Sequence, residues 1–163
     1  MRHILSLLVE NEAGALSRIS GLFSARAFNI ESLTVAPTED ESLSRMTIVT
    51  TGSDQIIEQI TKQVNKLVDV IKVVDLNERA HIERELMLIK LDANQVDIEE
   101  LETIAGEHNG QIVDNSENAI TIEIINTAEA LNNFIDKLDK AWILEVVRSG
   151  VSGIALGASV INN

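Results

Sequence analysis

The spacing of apolar residues alternates between two periods along the chain, and each change of period marks an element boundary. His3–Glu10 is short and rich in Ile, Leu and Val, the pattern of a buried strand. After the turn Asn11-Glu12-Ala13-Gly14 the spacing becomes helical. Leu16, Ile19 and Phe23 fall at i, i+3 and i+7 beside Ala15 and Leu22, with Ser17, Arg18, Ser24 and Arg26 largely opposite. This predicts an amphipathic helix over Ala15–Arg26 with Leu16 on its buried face. Phe28 closes the helix end, and the chain re-enters a strand at Asn29-Ile30. Ile30–Ala36 alternates with period two, and the only proline, Pro37, ends it. Thr38–Ser42 is a polar hairpin loop and Leu43–Thr51 a third strand. Gly52-Ser53-Asp54 breaks the chain, with Ser53 or Asp54 as helix cap. Ile56, Ile60, Val64, Leu67 and Val68 continue as a helix, and Val70–Leu76 is a fourth strand. The order βαββαβ is the split βαβ of a ferredoxin-like sandwich.

The second half repeats the order. Glu85–Leu91 reads as a strand, Asp97 as the cap of a helix carrying Ile98, Leu101, Ile104 and Ala105, and Gly110 as its C′ residue. Gln111–Asp114 and Ala119–Ile125 form a hairpin. Thr127 caps a helix with Leu131, Phe134, Ile135 and Leu138, and Ile143–Val147 closes the unit. The expected architecture is therefore α+β, two βαββαβ ferredoxin-like modules at 1–77 and 82–163 joined by the polar connector Asn77–Ile82. Modules this small are expected to dock or oligomerise through sheet edges or helices. The Gly-rich stretch Gly150–Asn163 reads as a mobile arm or docking peptide.

Composition narrows the function classes. Hydrophobic residues make up 45% of the 163 residues but aromatics only 2%, so the core is aliphatic. A net charge of −13 without a basic cluster argues against a nucleic-acid partner. There is no cysteine, which removes disulfides, thiol catalysis and thiolate metal sites. No apolar run approaches the length of a membrane span, and Ile4–Val9 is too short for a secretory signal, so a cytoplasmic protein is expected. His3, His81 and His108 lack ligand spacing and read as surface or capping residues; no metal is expected. No nucleotide-binding, hydrolase or zinc-protease motif occurs. Acidic groups such as Glu39-Asp40-Glu41 and Glu99-Glu100 lie in loops or on solvated faces, and no catalytic constellation emerges.

One feature offers chemistry. Gly14 stands at a strand-to-helix corner, where a residue without Cβ lets a ligand approach the main chain. The first amides of the following helix, at Gly14, Ala15 and Leu16, have no intrahelical partner and favour an anion. Asn11 and Asn29 bracket the helix as amide donors and acceptors, and Arg18, near the corner, is a cation suited to helping hold an anion. The corresponding turn of the second module, Asp92–Asp97, has no glycine. That asymmetry suggests one binding module and one accessory module.

The residues that carry these features also carry a resemblance. Glu10–Arg18 (Glu-Asn-Glu-Ala-Gly-Ala-Leu-Ser-Arg), Gly21-Leu22-Phe23-Ser24, Asn29–Pro37 (Asn-Ile-Glu-Ser-Leu-Thr-Val-Ala-Pro), Ser44–Ile48, Glu83–Lys90 and Arg148-Ser149-Gly150 resemble the regulatory small subunits of acetolactate synthase (acetohydroxyacid synthase). The match is dense in the first 90 residues and sparser afterwards. It implies an N-terminal ACT domain that pairs as a homodimer and binds a branched-chain amino acid, typically valine, at the interface. A ferredoxin-like C-terminal domain follows. It also implies a partner, the catalytic subunit, which carries thiamine diphosphate, Mg²⁺ and FAD, whereas this chain would bind no cofactor. The small subunit would raise that partner's activity and confer feedback inhibition. On this reading the amides of Gly14, Ala15 and Leu16 hold the carboxylate. Asn11 and, from the facing protomer, Asn29 with the Ile30 carbonyl hold the ammonium, and nearby apolar side chains take the isopropyl group. Two positions depart from the family pattern: Ala27 stands where glycine is usual, and Gly153–Gly157 lacks a basic residue often found there. The competing expectations are a free-standing ACT sensor of another enzyme and a small ferredoxin-like enzyme.

Overall fold

The computed structural model describes residues 1–161 and divides into two units, Met1–Ile82 with the segment from Val151 onward, and Glu83–Gly150. In the first unit β1 (Arg2–Glu10), α1 (Ala15–Ala25), β2 (Ile30–Pro37), β3 (Leu43–Thr51), α2 (Asp54–Val64) and β4 (Val70–Asp75) follow in the expected order. The antiparallel sheet runs β2-β3-β1-β4, which leaves β2 and β4 as edges. Leu5, Leu7 and Val9 of β1 and Met46 and Ile48 of β3 point to one face. There they pack against Ile19 and Phe23 of α1 and Ile57, Ile60 and Val64 of α2. Successive strand residues point to opposite faces, so these five meet the period-3.6 stripe of two helices while Ile4, Ser6, Leu8, Thr47 and Val49 are buried on the other face.

Three local expectations change. Leu16 is 45% exposed; Ala15, Ile19 and Phe23, four apart, form the buried stripe of α1. Ser53 is the cap of α2, its hydroxyl accepting from the Ile56 amide, and the helix stops at Val64. Leu67 and Val70 then continue in i→i−3 turns, leaving Val68 exposed. Of the two readings for the stretch after Gly150, mobile arm or docking peptide, the described residues, which end at 161, show the docked one at Val151–Ala155. Val151 is buried, its carbonyl accepts from the Thr34 hydroxyl (3.0 Å), and Ser152–Ala155 forms a short strand. Gly153 permits this approach, because a Cβ there would lie 2.6 Å from Leu76 Cδ1. By its contacts the segment groups with the first unit.

The second unit orders its strands β6-β7-β5-β8. These are β5 (His81–Asp92), which starts inside the predicted connector, β6 (Gly110–Asn115), β7 (Ala119–Asn126) and β8 (Ile143–Arg148). Helices α3 (Ile98–Glu107) and α4 (Ala128–Lys137) cover one face, with Leu101, Leu131 and Phe134 on Met87, Ile89, Ile122 and Ile124. Asp97 and Thr127 cap these helices as expected. Gly110 is not the left-handed residue ending α3; Asn109 takes that role at φ 58°. Gly110 is instead needed for space, since a Cβ would sit 2.9 Å from Ile124 Cγ1 and 3.1 Å from the Ala105 carbonyl. Among the described residues no helix is long and apolar enough to cross a membrane.

Candidate functional site

The corner after β1 is built by its backbone. Gly14 caps α1 at φ 88° and ψ −7°, a left-handed conformation costly for any residue with a Cβ, and no side chain caps the helix. Its first turn contains no acidic residue. The Ala15 amide reaches back to the Glu12 carbonyl at 3.2 Å, while the Gly14 and Leu16 amides have no protein acceptor among the described residues. Two of the three proposed anion donors are therefore available, at the positive end of a helix.

Asn11 is held in place rather than loose. Its backbone amide donates to the Ser42 carbonyl (2.7 Å) and its side-chain Nδ2 to the Glu41 carbonyl (2.9 Å), which ties the corner to the β2–β3 loop. Its Oδ1 has no partner among the described residues. Arg18 is committed: its Nε and Nη2 donate to both carboxylate oxygens of buried Asp69, at 2.6 and 2.8 Å. This fork raises the Arg18 guanidinium pKa and holds the Asp69 carboxyl below its ordinary value, chiefly through the side-chain hydrogen bonds. The anion-holding role suggested for Arg18 is thus taken by a carboxylate already in the chain. The same guanidinium lies against Gly14, where a Cβ would stand 2.8 Å from Nη1. Sequence reading missed Asp69, whose partner is 51 residues away, beyond the reach of local spacing.

Asn29 and Ile30 lie elsewhere. Glu10 pairs with Leu43 at one end of the sheet, whereas Ile30 pairs with Thr50, next to the Arg2–Thr51 pair at the other. Seven strand positions separate those levels, roughly 23 Å at strand rise. The structure therefore brings Asn11, Gly14, Ala15 and Leu16 together and leaves Asn29 and Ile30 at the opposite end of the same protomer. The Asn29 carbonyl accepts from the Thr50 hydroxyl, and its side chain is exposed with no partner among the described residues. Just before it, Ala27 takes φ 55°, so the position where the resembled family uses glycine keeps the left-handed conformation here with a methyl group attached. Exposed Leu16 on α1 and Val35 on β2 supply apolar surface on the helix-bearing side.

Two of the three histidines are buried, whereas His81 is not. His3 Nδ1 sits 2.7 Å from an Asp75 carboxylate oxygen, and His108 contacts the Ile104 carbonyl and stacks edge-on against Phe134. Among the described residues no cluster of three His, Cys, Asp or Glu is placed to hold a metal ion.

Comparison with known proteins joins this geometry to a family. The model of the "AHAS small subunit-like ACT domain" matches residues 5–72, and that of the "Small subunit of acetolactate synthase" matches residues 84–157. The chain is 50% identical over 162 residues to the acetolactate synthase isozyme 3 small subunit of Salmonella typhimurium, covering 99% of each. It is 52% identical over 158 residues to the acetolactate synthase small subunit of Haemophilus influenzae, covering 96% of this chain and 97% of that one. The crystal structure of the acetolactate synthase small subunit from Thermotoga maritima superposes with a TM-score of 0.85 at 36% identity, covering 94% of this chain and 96% of the other.

Proposed function

Because the chain belongs to the acetolactate synthase small-subunit family, we propose that it is the non-catalytic regulator of an acetolactate synthase, raising turnover of the catalytic subunit and conferring inhibition by valine. A small subunit implies a catalytic partner, and on this reading thiamine diphosphate, Mg²⁺ and FAD belong to that partner and the complex works in the cytoplasm. The observation that carries the valine site is the contrast between the two ends of one sheet. The end at Gly14 has free amides on a helix without cap or acid, and the end at Asn29 has a free side-chain amide.

One protomer cannot close such a site, but two can. β2 is an edge strand with unpaired backbone groups along one side. Apposing two β2 strands antiparallel about a two-fold axis sets the Ile30 end of one beside the Pro37 end of the other. Pro37 pairs with Ser44, two residues from the Ser42 carbonyl that holds Asn11, so the Pro37 end is the corner's end. Asn29 of the facing protomer then arrives at the corner. The amides of Gly14 and Leu16, with Ala15 between them, receive the carboxylate. Asn11 Oδ1, Asn29 and the Ile30 carbonyl receive the ammonium, and Leu16 and Val35 offer contact to the isopropyl group. Bound valine bridges two chains and so favours one orientation of the pair, which is the differential affinity that a switch requires.

The test is valine inhibition of the reconstituted holoenzyme carrying Asn29→Ala. The substituted side chain supports nothing in its own protomer, so the chain should still fold and still raise turnover while valine inhibition weakens by about tenfold or more. Unchanged inhibition would remove Asn29 from the site.

A further inference from the structure

The sheet face away from the helices carries Ile4, Ser6, Leu8, Arg45, Thr47 and Val49, and the segment around Val151 crosses it. Beside that crossing is a cavity of about 690 Å³, walled by Leu8, Leu43, Leu76 and Ile154. Two arginines line it. Arg45 is on interior strand β3, between Leu8 and Ala36 in register, neither of which offers a side-chain acceptor. Its Nε donates to the Ser6 hydroxyl at 2.6 Å, while its two terminal nitrogens have no acceptor and no carboxylate partner among the described residues. Burial lowers its pKa from the ordinary guanidinium value. Arg79 enters from the turn after β4, held by one hydrogen bond from Nη1 to the Ser159 hydroxyl at 2.8 Å. Among the described residues that line the cavity Glu39 is the one carboxylate, and it makes no ion pair with either arginine.

Among the described residues nothing balances this half-buried guanidinium, whose two terminal nitrogens lack an acceptor, and a second guanidinium lines the same cavity. Arginine matches a carboxylate with a planar fork, and the aliphatic walls match a short hydrocarbon chain. We propose that this cavity is a second ligand site, distinct from the Gly14 corner, for a small aliphatic monocarboxylate held by Arg45 and Arg79 with its chain against Leu8, Leu43 and Leu76. The corner reads an ammonium as well as a carboxylate, whereas this cavity needs only the carboxylate. A ligand without nitrogen therefore separates the two sites.

The experiment is calorimetric titration of the full-length chain with sodium 3-methylbutanoate, with valine and 3-methylbutanol in parallel. 3-Methylbutanoate should bind saturably with a Kd near 1 mM or tighter, and the uncharged alcohol should not. Arg79→Gln, at an exposed residue, and Arg45→Gln should each weaken binding by about tenfold or more. The thermal midpoint of each variant checks its fold, and Arg79→Gln decides alone if Arg45→Gln unfolds. No saturable binding of 3-methylbutanoate, equal binding of the alcohol, or unchanged affinity in folded variants overturns the proposal. If the unsubstituted chain binds 3-methylbutanoate saturably but does not bind valine, the corner reading alone is broken.

Discussion

The two units solve the same geometric problem, a strand turning into a helix, with opposite chemistry. In the first, Gly14 turns the chain in a left-handed conformation and leaves the start of α1 uncapped and free of acid. In the second, the Asp97 carboxylate accepts from the Glu99 and Glu100 amides at 2.9 and 3.1 Å, and two acidic side chains stand in the first turn. Asp92 further fastens its turn to Asn94 and Gln95. The second corner carries its own anion and has no use for another. The first is left open, at a cost in cap energy, as the proposed ligand site requires.

The comparison can be broken most sharply at Gly14. Gly14→Asp adds a β-carbon at positive φ, crowds Arg18 and brings to the first corner the negative charge that the second already holds. Valine affinity should fall about a hundredfold, roughly 3 kcal/mol, as read by calorimetry on a variant whose thermal midpoint confirms folding. Retained affinity would place the ligand elsewhere.

A second effect lies beneath the corner, in the Arg18–Asp69 fork. The folded carboxyl of Asp69 titrates below its ordinary value of 3.8. A depressed carboxylate stabilises the fold above its unfolded pKa and loses that contribution as pH falls through the folded one. Asp69→Asn should therefore lower the unfolding midpoint at neutral pH. The gap from the unsubstituted chain should shrink as pH drops below about 4, followed by circular dichroism during acid titration. A pH-independent gap would mean that packing, not charge, sets the effect.

The capped corner supplies the control. Asp97→Ala should cost about 1 kcal/mol of stability and leave valine inhibition of the holoenzyme unchanged. The smallest effect runs the other way. Ala27 holds φ 55°, so Ala27→Gly should raise stability by about 0.5–1 kcal/mol in denaturant titration, and a lower midpoint would show that the methyl group packs usefully.

Much of this architecture was legible because it is local. Alternation in Ile30–Ala36, the helical spacing of Ile60 and Val64, and the caps Asp97 and Thr127 each declare themselves within a few residues, although Ile57 rather than Ile56 completes the buried stripe of α2. The errors arise where packing decides. Leu16 satisfies the helical period as well as Ala15 does, yet the sheet lies under Ala15, Ile19 and Phe23. Asn109 takes the left-handed position that the sequence pattern assigns to Gly110, because an Asn side chain tolerates it. For the Gly-rich stretch after Gly150 the sequence leaves a mobile arm and a docking peptide both open, since its anchors, the Thr34 and Ser32 hydroxyls, lie more than a hundred residues away. At the candidate site the glycine and the asparagines were readable as residue types, but the separation of Asn29 from Gly14 depends on strand register, which only the fold supplies.

The central claim is that a corner from one protomer and Asn29 from its partner make one site. The direct measurement mixes Gly14→Asp chains with Asn29→Ala chains, neither of which should bind valine well alone, and counts binding sites by calorimetry after subunit exchange. With random assortment half the dimers are mixed, and each mixed dimer holds one intact site, so about one quarter of the original site number should return. If mixed dimers form and no sites return, the corner and Asn29 do not meet across two chains.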